Sequence, residues 1–178
     1  VGDVFECLDL DDDDLVPGTD AIAIKRLIGV PIIPASGHAG SVAGDIYLRS
    51  NNTVGTLFTW VNSSSTPSSP AGTATSPIID WLYSINIYYI RNYSVTAGDG
   101  IPSLCRKALG TSGGNPAYSP TECFASGIED LQIEIGIDGN GDGLPDRFIS
   151  APTAVEAAGA VAVRVAVLAR SEKAVSGY

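Results

Sequence analysis

A chain of 178 residues with 44% hydrophobic and 17% charged side chains is long enough to bury a core and too apolar to be disordered. Its formal net charge of -10 repels phosphate backbones and argues against a nucleic-acid partner. No apolar run reaches the ~18 residues of a helical membrane span, and 20 glycines with 11 prolines point to many turns and few long helices.

The chain opens on "VGDVFECLDL", without a signal peptide or a methionine, and reads as a mature or trimmed domain. Asp9, Asp11, Asp12, Asp13 and Asp14 repel one another and read as a solvated loop; no glycine lets that backbone curl round a cation. Pro17-Gly18 makes a turn. "DAIAIKRLIGVPII" reads as a strand, which Pro31 and Pro34 end or push to a sheet edge. His38, the only histidine, lies in "ASGHAGS" and reads as a loop residue rather than the base of a Ser-His-Asp set. "SVAGDIYLRSNNTVGTLFTWV" reads as two strands about Asn51-Asn52. Residues 62–77, "NSSSTPSSPAGTATSP", form an exposed Ser/Pro-rich loop.

"WLYSINIYYIRNYSV" carries the strongest strand signal, because Ile and Tyr suit a pleated, half-buried surface. "SLCRKAL" reads as a shorter strand and "TSGGNPAYSPTE" as a loop. In "SGIEDLQIEIGID" the aliphatic residues Ile128, Leu131, Ile133, Ile135 and Ile137 fall mostly at alternate positions, the period of a strand. "APTAVEAAGA" reads as a short helix. "VAVRVAVLARS" sets Val161, Val163, Val165 and Val167 on one face, and Ala162, Arg164 and Ala166 on the other. The expectation is one mainly β domain over residues 1–178, with about six to eight antiparallel strands and one or two short helices.

Between the last two strand signals lies "GIDGNGDGLPDRF". With Asp138 as loop position one, oxygen side chains fall at positions one, three, five and nine: Asp138, Asn140, Asp142 and Asp146. Gly143 occupies position six, where a calcium loop turns sharply, and Leu144 at seven offers its carbonyl. Position twelve is Ile149 instead of the EF-hand glutamate, and both flanks read as strands, not helices. Two readings stand: a Gly/Asn/Asp turn, or a Ca2+ site whose cation offsets the repulsion of three nearby carboxylates. The register of four donors with glycine at six favours calcium.

"GIEDLQIEIGIDGNGDGLPDRFISA" followed by "AVAVRVAVLARS" resembles the C-terminal half of PilW-type minor type IV pilins, and "GTDAIAIKRL" and "IYYIRN" with "SLCR" resemble that family's earlier strands. The resemblance runs from Gly18 to Ser171. It implies an α+β pilin-like fold, related to type II secretion pseudopilin J, in which an apolar N-terminal helix packs on antiparallel sheet. That helix is missing from this sequence; in the full-length form it would anchor the protein in the inner membrane. The implied role is a minor pilin that joins other minor pilins, and a tip adhesin, in the priming complex of the pilus. Nothing catalytic is implied. The implied location is the bacterial inner membrane and periplasm before assembly, then the extracellular pilus tip.

Such a domain matures where disulfides persist. Cys105 and Cys123 flank one loop, and a hairpin there would bring them together, with Cys7 left unpaired or bound to the N-terminal part; three free thiols are the alternative. Two further functions stay open. A calcium-stabilised extracellular adhesion or carbohydrate-binding β-domain would use the aromatics Trp60, Trp81, Tyr83, Tyr88 and Tyr89. A hydrolase would need paired carboxylates such as Glu129 and Glu134, which read more simply as solvent-facing.

Overall fold

The computed structural model describes residues 14–32, 40–51, 53–62 and 77–171. Cys7, His38, the aspartates at 9–13 and most of the Ser/Pro-rich loop lie outside the described residues. The elements are β1 (Ile22–Ile32), β2 (Ile46–Ser50), β3 (Gly55–Thr59), β4 (Ile79–Arg91), β5 (Ser103–Ser112), β6 (Asn115–Tyr118), β7 (Glu122–Ser126), β8 (Ile128–Ile137), β9 (Arg147–Ile149), α1 (Ala154–Ala157) and β10 (Ala160–Ala169). The protein is mainly β, with antiparallel pairing and one short helix. The described strands number ten, more than the sequence suggests, because "TSGGNPAYSPTE" is not simply a loop. Gly113 and Gly114, at φ 58° and 83°, close a two-residue turn between β5 and β6, with Ser112 opposite Asn115. Both turn residues need positive φ, which glycine adopts without strain. Pro116 is accommodated because β6 ends its sheet order.

The residues divide into two compact units. One contains residues from Ala23 to Ile87 and from Lys107 to Thr121. Its strands follow the order β3-β2-β4-β5-β6, with β1 beside β4. Asn51 organises the β2–β3 turn: its Oδ1 accepts from the Thr53 and Val54 N–H groups at 3.1 and 2.8 Å. Ile46, Tyr47, Trp60 and Ile87 form the buried apolar part. Arg49 and Asp80, directly opposite on β2 and β4, are buried with them. Arg49 donates from Nε and Nη2 to the two Asp80 oxygens, each at 2.8 Å. The guanidinium also lies 5.3 Å from the Phe58 ring centroid. A buried fork of this kind satisfies both charges at once.

The other unit contains the described residues up to Ile22, Tyr88–Arg106 and those from Glu122 onward. Its three-stranded sheet runs β10-β8-β9. The two-residue period of β8 sorts its side chains. Leu131 and Ile133 enter a core with Ile90, flanked by Val16, Ile22, Leu104, Ile128 and Ile135. The opposite face carries Gln132, Glu134 and Gly136. Phe148 sits opposite Gly136, and a Cβ there would meet Pro145, Ala162 and Phe148 atoms at 2.9–3.0 Å. Glycine therefore leaves the space that the Phe148 ring uses, and Arg164 stacks on that ring at 3.7 Å. In the same unit Cys105 and Cys123 face each other on β5 and β7 and are joined in a disulfide.

Replacing both cysteines by alanine should lower unfolding free energy by about 3 kcal/mol, as expected for a loop of this length, read as an earlier denaturant midpoint. Arg49→Ala should cost about 3–5 kcal/mol, because it removes the bidentate donor from the buried Asp80 carboxylate; a loss under ~1 kcal/mol would mean that water reaches the pair.

Candidate functional site

The Asp-rich loop leaves β8 after Ile137 and returns at β9. Two backbone bonds fix its base: Asp146 N–H to the Ile137 carbonyl at 2.8 Å, and Asp138 N–H to the Gly159 carbonyl at 3.0 Å. Above that base, the side chains bond back to the loop's own amides. Asp138 Oδ1 accepts from the N–H groups of Asn140 at 3.1 Å and Gly141 at 2.6 Å, and its Oδ2 from Gly143 at 2.8 Å. Asn140 Oδ1 accepts from Asp142 N–H at 2.9 Å, and Asp142 Oδ1 from Leu144 N–H at 2.8 Å. Asp146 Oδ2 accepts from Gly139 N–H at 2.7 Å, and its Oδ1 from Asn140 Nδ2 at 3.2 Å. Asp138, Asn140 and Asp142 each accept from the amide two residues on and so mimic a turn of backbone, the reason Asp and Asn favour such positions. Asp146 instead reaches back across the loop to Gly139.

The N–H groups of Gly143 and then Gly141 hold the Asp138 carboxyl below its ordinary range. The same device recurs in the connection between β4 and β5. There the Asp99 carboxylate accepts from Ile101, Val95, Ser94 and Thr96 N–H groups at 2.9–3.2 Å, and is held down to about 2.

All side-chain donors of the 138–146 loop are hard oxygens, the type that calcium takes. The structure brings Asp138, Asn140, Asp142 and Asp146 into one hydrogen-bonded loop and leaves Leu144 at its exposed rim, 67% accessible. Among the described residues no three His, Cys, Asp or Glu side chains gather as a metal group.

The other residues singled out by sequence are placed elsewhere. Glu129 pairs with Arg170 at 3.0 Å and Glu134 with Arg164 at 2.8 Å, so each carboxylate faces a guanidinium. Trp60 and Tyr89 are buried at 8% and 1% and are closed to stacking with a ligand. Tyr88 is half-buried, edge-on to Phe124 at 6.1 Å.

A feature that alternation alone did not reveal is the exposure of β10. Val163, Val165 and Val167 lie opposite Ile135, Ile133 and Leu131, hence on the core-facing side of the sheet. Yet they are 51–53% accessible, and Leu168 is 57%. The apolar face of β8 therefore continues sideways into a row of half-exposed valines.

An antiparallel β domain with an apolar row on its last strand and an aspartate-rich loop before it is the class of structure defined so far. Residues 87–178 match the family model described as type IV pilus-assembly protein W, and the chain belongs to that family. The match covers the Asp-rich loop and the valine strand together. Neither the curated proteins nor the solved structures give a match.

The carboxylate cradles set a pH dependence. Asp138 and Asp99 have folded values below their unfolded ones, so the stability they contribute is present above the unfolded value and lost as pH falls through the folded one. For Asp99 that window runs from 3.8 down to about 2. Carbon NMR should show the Asp99 carboxyl titrating near the lower limit and Asp138 below an ordinary aspartate. Midpoints at the ordinary value would mean that the backbone cradles do not form in solution.

Proposed function

We propose that this chain is the globular domain of a minor pilin, a structural subunit without catalytic activity. It joins other minor pilins in the complex that primes pilus assembly, stands at the filament tip and supports an adhesin there. It resides in the inner membrane and periplasm before assembly and on the extracellular pilus afterwards. Family membership supports the pilus role. The observation that carries the subunit reading is the valine row of β10, apolar, half-exposed and continuous with the core-facing side of β8. In the full-length protein this row would seat an apolar helix, as in pseudopilin J and its pilin relatives, and that helix would hold the domain in the membrane and then in the filament. Contiguous apolar surface of this kind marks an interaction site.

Val165→Asp in the full-length protein should lower pilus number and recovery with the other minor pilins, while the isolated domain keeps its melting temperature. Normal piliation without the protein, and no co-purification with any minor pilin, would sink the priming role.

In the same reading the loop at 138–146 holds a structural Ca2+ through Asp138, Asn140, Asp142, the Leu144 carbonyl and Asp146, with water or one more oxygen completing the shell. The ion would supply charge neutralisation, pinning the connection between β8 and β9. Without a terminal glutamate the affinity should lie on the order of 10⁻⁴ to 10⁻³ M, in the extracellular range. Calcium at 100 times its dissociation constant should then add about 2.7 kcal/mol. Asp142→Ala should remove most of that gain, read as the difference in melting temperature between excess calcium and chelator. Equal melting of the wild type in both would leave the stretch as a turn.

A further inference from the structure

Asn140-Gly141 is the chain's only Asn-Gly pair. In such a pair the backbone nitrogen after asparagine can attack the side-chain carbonyl carbon, and glycine, lacking a Cβ, hinders that approach least. Two steps usually make this slow: the amide nitrogen must lose a proton, and negative charge must build on the carbonyl oxygen. Folding normally slows the reaction further by holding the reacting groups apart.

Here the hydrogen bonds of the loop bear on both steps. Gly141 N–H, on the attacking nitrogen, donates to Asp138 Oδ1 at 2.6 Å. Asn140 Oδ1, the oxygen that gains charge, accepts from Asp142 N–H at 2.9 Å. Asn140 Nδ2, the leaving nitrogen, is oriented by Asp146 Oδ1 at 3.2 Å. Asn140 and Gly141 are both exposed, and a Cβ built on Gly141 meets nothing within 4 Å, so water reaches the site. An acceptor on the nucleophile's proton and a donor on the developing oxyanion are the two parts of an acyl-transfer site. The loop supplies both.

We propose that Asn140 is a self-modifying position, at which the folded loop accelerates deamidation through a succinimide. The Gly141 nitrogen forms a bond to Asn140 Cγ as its proton passes to Asp138 Oδ1. The Cγ–Nδ2 bond then breaks, and the side-chain nitrogen, protonated through Asp138 and solvent, leaves as ammonia. Water opens the five-membered imide at either carbonyl, giving aspartate or isoaspartate at 140. The balance is asparagine plus water to acid plus ammonia, with no oxidant or cofactor. Aspartate adds a fourth carboxylate to the loop. Isoaspartate inserts a methylene into the backbone between the two amides that bond Asp138 Oδ1.

The inference rests on the loop's hydrogen bonds and not on the pilin or calcium readings, and its test is run in chelator. The purified chain is incubated at neutral pH beside a synthetic peptide of Gly136–Phe148, and peptide mapping by mass spectrometry follows aspartate and isoaspartate at 140. Because the Asp138 carboxylate is a weak base, the expected acceleration in the folded chain over the peptide is about tenfold, below the usual range for positioned proton transfer. Asp138→Ala, checked for intact fold by circular dichroism, should bring the rate down to that of the peptide. If that variant unfolds, the comparison of wild-type chain with peptide decides alone. A folded chain that deamidates no faster than the peptide, or a folded Asp138→Ala chain that keeps the wild-type rate, overturns the proposal.

Discussion

The alternation of β8 is the constraint on which its unit depends. Leu131 and Ile133 must face Ile90, so Gln132, Glu134 and Gly136 must face the other way. A slip of one residue would bury Glu134 and expose Ile133. From this sorting follow the position of Phe148 over the bare Gly136, the stacking of Arg164 on that ring, and the place where the chain leaves the sheet at Ile137. The loop is thus anchored at both ends by an ordered sheet. Its own order comes from within, because its side chains supply the acceptors that its turning backbone lacks.

The two units handle charge differently. Around β2 and β4, Arg49 and Asp80 are removed from water and matched bidentately. Around β8 and β10 the ion pairs of Glu134 and Glu129 lie at the surface, where each contributes little on its own. Arg164 acts as much through its flat face and stem as through its charge, since it covers the Phe148 ring.

Much of this architecture is legible in the sequence. The alternation of "LQIEIGI" and "VAVRVAV" identifies β8 and β10, and Asn51-Asn52 marks the β2–β3 turn, because each rests on a local rule. The β5–β6 hairpin was legible in principle from Gly113-Gly114, but Pro116 and the polar run around it obscure a strand of four residues. The Arg49–Asp80 pair was not legible, since its partners lie 31 residues apart and meet only through strand register. The donors of the Asp-rich loop are plain from spacing. Where their oxygens point is not, because Asn140 divides its amide between Asp142 and Asp146. Nor does alternation tell how deeply a face is covered, so the valines of β10 could be assigned a side but not an exposure.

Among the described strands β10 is an outer one, ten residues long and free of proline. Its stretch from Ala160 to Ala169 carries a single charge, at Arg164. An apolar edge of that length is a template for uncontrolled stacking with other chains. Arg164 interrupts it near the middle and is tethered there by Glu134 and Phe148, so the charge stays at the edge instead of swinging away. The residue that completes the packing over Gly136 therefore also acts as a gatekeeper, keeping the edge of β10 from accepting any strand that meets it.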